Sequence, residues 1–193
     1  MGQDKALLRL PVTGQPLLRH IVDRLGHLPL DQIVVVSNNP QLPHLAPLDR
    51  PVLYLPDTYS NVGVLGGIAT GLSACPAWAI CVACDLPLIK PAVLHYLCRL
   101  VTEQAAQPWQ AIVPRVDGYA QPLHALYHRS VLPVIVRAIA AGERRAAGFL
   151  ADVDVRWVET EELLPLDPAL HSFFNANTPT EWAEALRLLA EES

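Results

Sequence analysis

Short apolar runs alternate with helical patterns along almost the whole chain. Some runs, such as the one around VVV, are continuously apolar, which is typical of strands buried on both faces. They lie at residues 32–39, 51–57, 79–85, 110–116, 121–128 and 153–159. Helical patterns separate most of them, at residues 17–25, 63–74, 91–104, 131–142 and 178–192. This alternation predicts an α/β fold with a mostly parallel sheet, crossover helices and helices on both faces.

Two of the helices carry sequence signals for their first residues. Pro91 opens one of them, in the position where proline is tolerated because its missing N–H would be unpaired anyway. The last helix has Thr178 as a cap, Pro179 as its first residue and Glu181 three residues after the cap. That spacing predicts a capping box, in which the threonine and the glutamate each bond the other's backbone N–H.

Polar side chains stand at the ends of the first three predicted strands. Ser37 follows VVV, Asp57 ends the second run and Asp85 ends the third. In open α/β sheets, ligands bind outside the carboxyl ends of the strands. A carboxylate beside a phosphate needs a cation between them, and Mg²⁺ takes one or two carboxylates together with phosphate oxygens. Asp85 is therefore a candidate metal ligand; the alternative is an aspartate that caps the helix at Pro91 or closes a turn.

Glycines and one lysine are further candidates for an anion site. Gly63, Gly66 and Gly67 stand where a helix begins, so that backbone N–H groups and the helix dipole lie open to an anion or a base edge. Close packing of the helix on the sheet is the alternative. Lys5 precedes an apolar run and is suited to neutralise phosphate charge, although an ordinary surface lysine is the far commoner case. The GxxxxGK[ST] and GxGxxG patterns are missing from the sequence.

Two pairs of polar residues in the C-terminal half of the chain are further candidates for ligand binding. Asn175 and Asn177 alternate before the last helix, so on an extended segment both amides face one way. They are suited to bind a polar ligand or to bond the local backbone as turn residues. Arg144 and Arg145 follow a helix end and are suited to clamp a phosphate, or simply to sit at the negative end of the helix dipole.

Composition excludes several classes of function. The 193 residues carry a net charge of −5 and no basic run, which argues against a nucleic-acid surface. Residues 58–84 carry no charge, but their glycines and proline divide the stretch into a helix, a turn and a strand, so we expect no membrane span. Cys81 and Cys84 have CxxC spacing within a predicted strand. Side chains three apart on a strand face opposite ways, so we interpret the cysteines as small buried residues in a reducing compartment.

The order of these signals resembles the molybdenum cofactor guanylyltransferases over nearly the whole chain. These enzymes belong to the nucleotidyltransferases with a three-layer, Rossmann-like α/β sheet. The NxNTP ending is typical of the guanylyl branch, whereas the cytidylyl branch tends to have aspartates there. The segments that carry the resemblance are MGQDKALL, GQPLL, LPDTYSNVGVLGGIATGL, VACDLPLIKP, QPLHALY, AGERRAAGFL and NANTPTEW.

The resemblance implies a role for each candidate residue. Lys5 matches the family's nucleotide-phosphate lysine, Asp57 a GTP-contacting aspartate and Asp85 the Mg²⁺-binding aspartate. Asn175 and Asn177 match asparagines near the pterin. Ser37 replaces an asparagine that contacts the nucleotide in some members, and Asn38 or Asn39 is a substitute. By the same likeness, the Gly63, Gly66 and Gly67 loop would hold the nucleoside, and Arg144 and Arg145 would face the pterin substrate.

The implied reaction transfers GMP from GTP to molybdopterin, with Mg²⁺ as cofactor and release of pyrophosphate. The same likeness implies that the partners are proteins of molybdenum cofactor biosynthesis and molybdoenzymes. It also implies a cytoplasmic location. The alternatives are two other reactions, cytidylyl transfer to molybdopterin and nucleotidyl transfer to a sugar phosphate, and a nucleotide-binding protein without catalysis. Family members usually begin with a strand and a loop of the type LAGGxSxRMGxDK. We therefore expect residues 1–193 to form one nucleotidyltransferase domain that is N-terminally incomplete, by roughly one strand and a turn.

Overall fold

The computed structural model describes residues 4–11, 13–45, 48–49, 51–59, 61–103 and 109–191. The strands are β1 (Val34–Val36), β2 (Leu53–Leu55), β3 (Trp78–Val82), β4 (Ala111–Val116), β5 (Tyr119–Ala120), β6 (His124–His128) and β7 (Val155–Glu159). The helices are α1 (Leu17–Leu25), α2 (Leu42–Leu45), α3 (Val64–Ser73), α4 (Pro91–Thr102), α5 (Leu132–Ala140), α6 (Thr160–Leu163) and α7 (Pro179–Glu191). The predicted helix ends at Gln104 and Glu192 lie outside the described residues.

The strands form two sheets within the described part of the chain. β1 and β2 pair in parallel. The larger sheet has the order β3-β6-β4-β5, with β7 paired in parallel to β4. Helix α3 contacts both β1 and β3 and so packs against both sheets. The predicted α/β class is confirmed.

Two strands of the larger sheet, β5 and β6, run antiparallel to β4 in a sheet that is predicted to be mostly parallel. β3, β4 and β7 run the same way, whereas β6 is antiparallel to both β3 and β4. The reason is the short turn at Asp117 and Gly118, both with positive φ, which joins β4 to β5. The chain then continues into β6 in the same direction as β5. Such a turn joins antiparallel strands directly, whereas a parallel neighbour needs a crossover of a dozen residues or more.

Helices cover both faces of the larger sheet, as predicted. Successive residues of a strand point to opposite faces, so each strand contributes to two cores. On one face, Val113 and Tyr127 pack with residues of α3 and α5. On the other, Ile112 and Leu126 pack with residues of α4 and α6. This double burial explains why these strands are almost continuously apolar in sequence.

Both predicted helix starts are confirmed. Helix α4 begins at Pro91. At the start of α7, the Glu181 N–H donates to Thr178 Oγ1 (3.2 Å), and the Thr178 N–H donates to Glu181 Oε2 (2.8 Å). Among the described residues, each helix is too short or too polar to cross a membrane.

Candidate active site

Three predicted site residues from distant parts of the sequence meet in the structure. Lys5 Nζ lies 3.1 Å from Asp85 Oδ2 and 2.5 Å from Asn177 Oδ1. Lys5 and Asp85 are separated by 80 residues, and Lys5 and Asn177 by 172. The two side chains of the ion pair are about a quarter exposed, at 28% and 21%. The cluster therefore places a cation, a carboxylate and an amide at a surface that a polar ligand can reach.

Hydrogen bonds of the backbone fix the positions of Asp85 and Asn177 relative to each other. Asp85 lies three residues beyond the end of β3, and its carbonyl accepts the N–H of Ala176 at 3.0 Å. Ala176 is buried between two exposed asparagines, as expected for an extended segment with alternating side chains. The Asn177 N–H donates to Glu181 Oε2 at 2.9 Å, so the capping box of α7 also fixes this residue.

Asp4 positions Lys5 from the other side of the cluster. Its Oδ1 accepts the Ala6 N–H at 3.1 Å and caps the 3₁₀ turn Lys5–Leu7. Its Oδ2 accepts the Asn39 Nδ2–H at 2.9 Å, which ties this turn to the loop after β1. Asp4 was not identified from the sequence, although an aspartate directly before a short helical turn is itself a capping signal.

Asp85 carries an oxygen that matches a cation ligand. Oδ2 is occupied by Lys5, whereas Oδ1 is buried and has no hydrogen-bond partner in the described part of the chain. A buried carboxylate oxygen without a partner is costly unless a ligand satisfies it. No group of three or more His, Cys, Asp or Glu side chains within the described residues forms a metal cage. Asp85 Oδ1 alone therefore fits a divalent metal ion only if the ion takes its other ligands from outside these side chains.

Asp57 is anchored at the loop between β2 and α3. Its Oδ1 accepts the Tyr59 N–H at 2.9 Å and the Thr70 hydroxyl at 3.1 Å. Its own N–H donates to Asn38 Oδ1 at 2.8 Å. These bonds connect the loop after β1, the loop after β2 and the middle of α3. Asp57 thus has a structural role in this loop, and its contact with GTP stays a prediction.

The three glycines at the start of α3 differ in what surrounds them. Gly63 has φ +70° and precedes the first helical residue, a backbone conformation that side chains disfavour. A Cβ at Gly66 would lie 2.9 Å from Tyr59 O and 3.2 Å from Asp57 Oδ1. A Cβ at Gly67 would meet no atom of another described residue within 4 Å. Gly66 is therefore required by packing, while Gly67 faces open space that a ligand can occupy.

Arg144 and Arg145 contact Glu143 rather than the Lys5 cluster. Glu143 Oε1 accepts both backbone N–H groups at 2.8 Å, and Arg145 Nη2 lies 3.1 Å from Glu143 Oε2. The Arg145 side chain with these backbone donors lowers the pKa of Glu143 to about 2. Arg145 remains 83% exposed. Within the described residues, no hydrogen bond or ion pair joins the two arginines to Lys5, Asp85 or Asn177, so their substrate contact stays a prediction.

Asn175 makes a local bond. Its Nδ2 donates to the Phe173 carbonyl at 3.3 Å, which is the turn-forming alternative considered for this pair. Its side chain is exposed, and its role toward a pterin stays a prediction.

The CxxC pair is not arranged for redox chemistry. Burial raises the pKa of Cys81 to about 12 and, together with the nearby Asp85 carboxylate, that of Cys84 to about 11. Both cysteines are free thiols. A half-buried thiol that stays protonated is a poor nucleophile and a poor metal ligand, which favours the interpretation of both residues as small apolar side chains.

Comparison with known proteins identifies the family. The model of the MobA-like NTP transferase domain matches residues 1–159. A molybdenum cofactor guanylyltransferase of Vibrio cholerae is 34% identical over 187 residues, which cover 95% of this chain and 83% of that protein. A probable molybdenum cofactor guanylyltransferase of Synechococcus elongatus is also 34% identical, over 97% of this chain and 92% of its own.

A solved structure extends the similarity to the whole fold. The crystal structure of molybdopterin-guanine dinucleotide biosynthesis protein A from Archaeoglobus fulgidus superimposes with a TM-score of 0.82. The match has 26% sequence identity and covers 98% of this chain and 92% of that one. The chain therefore belongs to the MobA-like NTP transferase family and is a nucleotidyltransferase.

Proposed function

We propose that this chain transfers GMP from GTP to molybdopterin, with release of pyrophosphate. The observation that carries the proposal is the cluster of Lys5, Asp85 and Asn177, in which one buried oxygen of Asp85 has no hydrogen-bond partner among the described residues. Family membership supports the reaction class, and the names of the relatives supply the nucleotide and the acceptor.

The chemistry needs little acid or base assistance from the protein. A phosphate oxygen of molybdopterin attacks the α-phosphorus of GTP, and the bond from that phosphorus to the bridging oxygen of the β-phosphate breaks. The electron pair leaves with pyrophosphate. Since a phosphate monoester is already ionised near neutral pH, no base must first remove a proton. Catalysis then rests on positioning and on stabilising the charge that develops during transfer.

Lys5 is suited to stabilise that charge. An ammonium has three N–H donors, and two are occupied by Asp85 and Asn177. Within the described part of the chain the third has no acceptor, which leaves it for a phosphate oxygen. The same two contacts fix the direction of the ammonium before any substrate arrives, which lowers the cost of orienting it during the reaction.

Asp85 would hold a Mg²⁺ ion through Oδ1, together with oxygens of the triphosphate. When bound, such an ion polarises phosphoryl oxygens and offsets the charge of the leaving pyrophosphate. Asp85 also keeps Lys5 in place through Oδ2. The two oxygens of one carboxylate would thus position both positive charges of the site.

Other residues would bind the two substrates. Gly67 and the start of α3 would lie against the nucleoside, since the space beyond Gly67 is open. A GTP contact from Asp57 would use Oδ2, because Oδ1 already accepts two hydrogen bonds. Exposed Arg145, with Arg144 and Asn175, would contact the molybdopterin side.

The test is thermal melting of the chain with GTP or CTP, with and without Mg²⁺, followed by an assay of pyrophosphate release with molybdopterin. A ligand at 100 times its Kd adds about 2.7 kcal/mol to the stability of the folded state. A Mg²⁺-dependent shift with GTP alone, and pyrophosphate release that requires molybdopterin, are the expected results. Release with CTP instead would indicate cytidylyl transfer. Nucleotide binding without release would indicate a binding protein.

A further inference from the structure

An ion pair outside the proposed active site joins Lys90 to the buried carboxylate of Asp167. Lys90 Nζ lies 3.0 Å from Asp167 Oδ1. The Asp167 side chain is fully buried, whereas that of Lys90 is 24% exposed. The second oxygen of Asp167 accepts the Ser172 N–H at 2.7 Å, and the Ser172 hydroxyl accepts the Lys90 N–H at 3.1 Å. Lys90, Asp167 and Ser172 therefore form a closed set of contacts, which we name the rear clamp.

A charge pair at such a depth is unusual. Removing a carboxylate from water costs several kcal/mol, and only a paired charge and further hydrogen bonds repay that cost. Apolar residues would fill the same space without this penalty. The proposed reaction does not use the pair, because Asp167 is buried and so cannot contact a substrate.

The rear clamp joins the two segments that carry the active site. One segment runs from Asp85 to Lys90, and its residues Leu86, Leu88 and Ile89 are buried. The other runs from Asp167 to Asn177. They meet at one end through the Ala176 N–H and the Asp85 carbonyl, and at the other end through the rear clamp.

We propose that the rear clamp is a positioning device for the Lys5–Asp85–Asn177 cluster. With both ends of the two segments tied, the distance between Asp85 and Asn177 is fixed, and the Lys5 ammonium is held between them. A single tie at Ala176 would let the segments hinge about that hydrogen bond. The part of the proposal that concerns turnover rests on the proposed function, whereas the part that concerns geometry does not.

The test uses Asp167→Asn, which is close in shape and removes the charge that pairs with Lys90. Its matched control is Glu162→Gln, the same chemical change in the Arg156–Glu162 ion pair between β7 and α6. We expect Asp167→Asn to lower kcat roughly 10- to 100-fold, with KM for GTP almost unchanged, because misplacement of reacting groups costs rate rather than ground-state binding. Glu162→Gln should keep the wild-type kcat. Both are assayed well below their melting temperatures.

Two further measurements separate positioning from a loss of general stability. Amide hydrogen exchange at Ala176 should accelerate about 10-fold or more in Asp167→Asn but not in Glu162→Gln, because only the first frees the hinge. In a double-mutant cycle with Asn177→Ala, the two losses of kcat should not add, since the clamp acts through Asn177.

Each arm has a result that overturns the proposal. Wild-type kcat in a folded Asp167→Asn protein, equal losses in the two amide variants, or additive losses in the cycle would show that the clamp is merely structural. Unchanged exchange at Ala176 would do the same without any assay of turnover. If the wild-type chain releases no pyrophosphate, the proposed function fails, and the exchange measurement still decides the role of the clamp.

Discussion

The Lys5 ammonium lies 3.1 Å from Asp85 Oδ2, across 80 residues of sequence. This pair leaves the carboxylate with one neutralised oxygen and one buried oxygen that has no partner within the described residues. The two oxygens therefore differ before any substrate binds. A substitution that keeps the shape of Asp85 but removes its charge acts on both functions of the side chain at once.

We expect Asp85→Asn to lower kcat about 1,000-fold or more, because the metal ligand and the partner of Lys5 are lost together. The melting temperature should change little, since a part-exposed ion pair contributes about 1 kcal/mol or less. Pyrophosphate release and thermal melting measure the two quantities. Asp152→Asn, at an exposed aspartate, is the control and should keep wild-type turnover. A wild-type rate in Asp85→Asn would remove this residue from the mechanism.

Gly66 and Gly67 are adjacent, yet we expect opposite effects from alanine at the two positions. Gly66→Ala places a methyl group 2.9 Å from Tyr59 O and should lower the free energy of unfolding by about 1–3 kcal/mol through overpacking. Gly67→Ala meets open space within a helix and should raise it by about 0.5–1 kcal/mol, because alanine is the better helix former. Denaturant unfolding checks both values.

The same pair of variants tests the nucleotide surface. If GTP lies against the start of α3, the methyl group of Gly67→Ala occupies ligand space. Affinity for GTP should then fall about 10-fold in a protein that is more stable than wild type. Unchanged affinity, measured by titration calorimetry with Mg²⁺ present, would place the nucleotide away from Gly67.

Local rules of the sequence predicted the elements well, because each signal lies within a few residues. Pro91 at the first position of α4 and the pair of Thr178 and Glu181 at the start of α7 are examples. The prediction of a mostly parallel sheet did not specify the direction of β6, although the Asp117–Gly118 turn before β5 is a short-range hairpin signal.

The site was predictable only as separate candidates. Lys5, Asp85 and Asn177 were each identified from their neighbours in sequence, but their contact depends on the fold. Lys90 and Asp167 gave no signal, since an ion pair across such a separation leaves no local pattern. Thr70 was missed for the same reason: its bond to Asp57 crosses 13 residues and a turn.

Arg145 offers a test of the molybdopterin side. Replacing it by methionine removes an exposed guanidinium, and we expect KM for molybdopterin to rise about 10-fold while KM for GTP stays the same, as for one lost phosphate contact. The pKa of Glu143, now lowered to about 2, should also rise, which an NMR titration can follow. Arg187→Met, at another exposed ion-paired arginine, is the control. A rise in KM for GTP alone would move Arg145 to the nucleotide side.

His124 makes the stability of the fold depend on pH. Its side chain is 1% exposed, and its ring packs 4.6 Å from that of Phe173. Burial lowers its pKa from 6.5 to about 4, against the opposing effects of the Ser172 backbone and the Asp167 charge. The folded state therefore binds fewer protons than the unfolded state between these two values. The free energy of unfolding is therefore highest above pH 6.5. It decreases by about 3 kcal/mol in total as the pH falls toward 4.

His124→Phe isolates this contribution, because phenylalanine keeps an aromatic ring against Phe173 and cannot bind a proton. We expect the free energy of unfolding of wild type to fall more steeply than that of His124→Phe between pH 6.5 and 4.5, with a difference in slope of up to about 1.4 kcal/mol per pH unit. Urea unfolding across this range measures both slopes. Titrating groups common to both proteins, including the buried His20, cancel in the difference. If the free energies of unfolding of wild type and His124→Phe depend on pH in the same way, folding does not lower the pKa of His124.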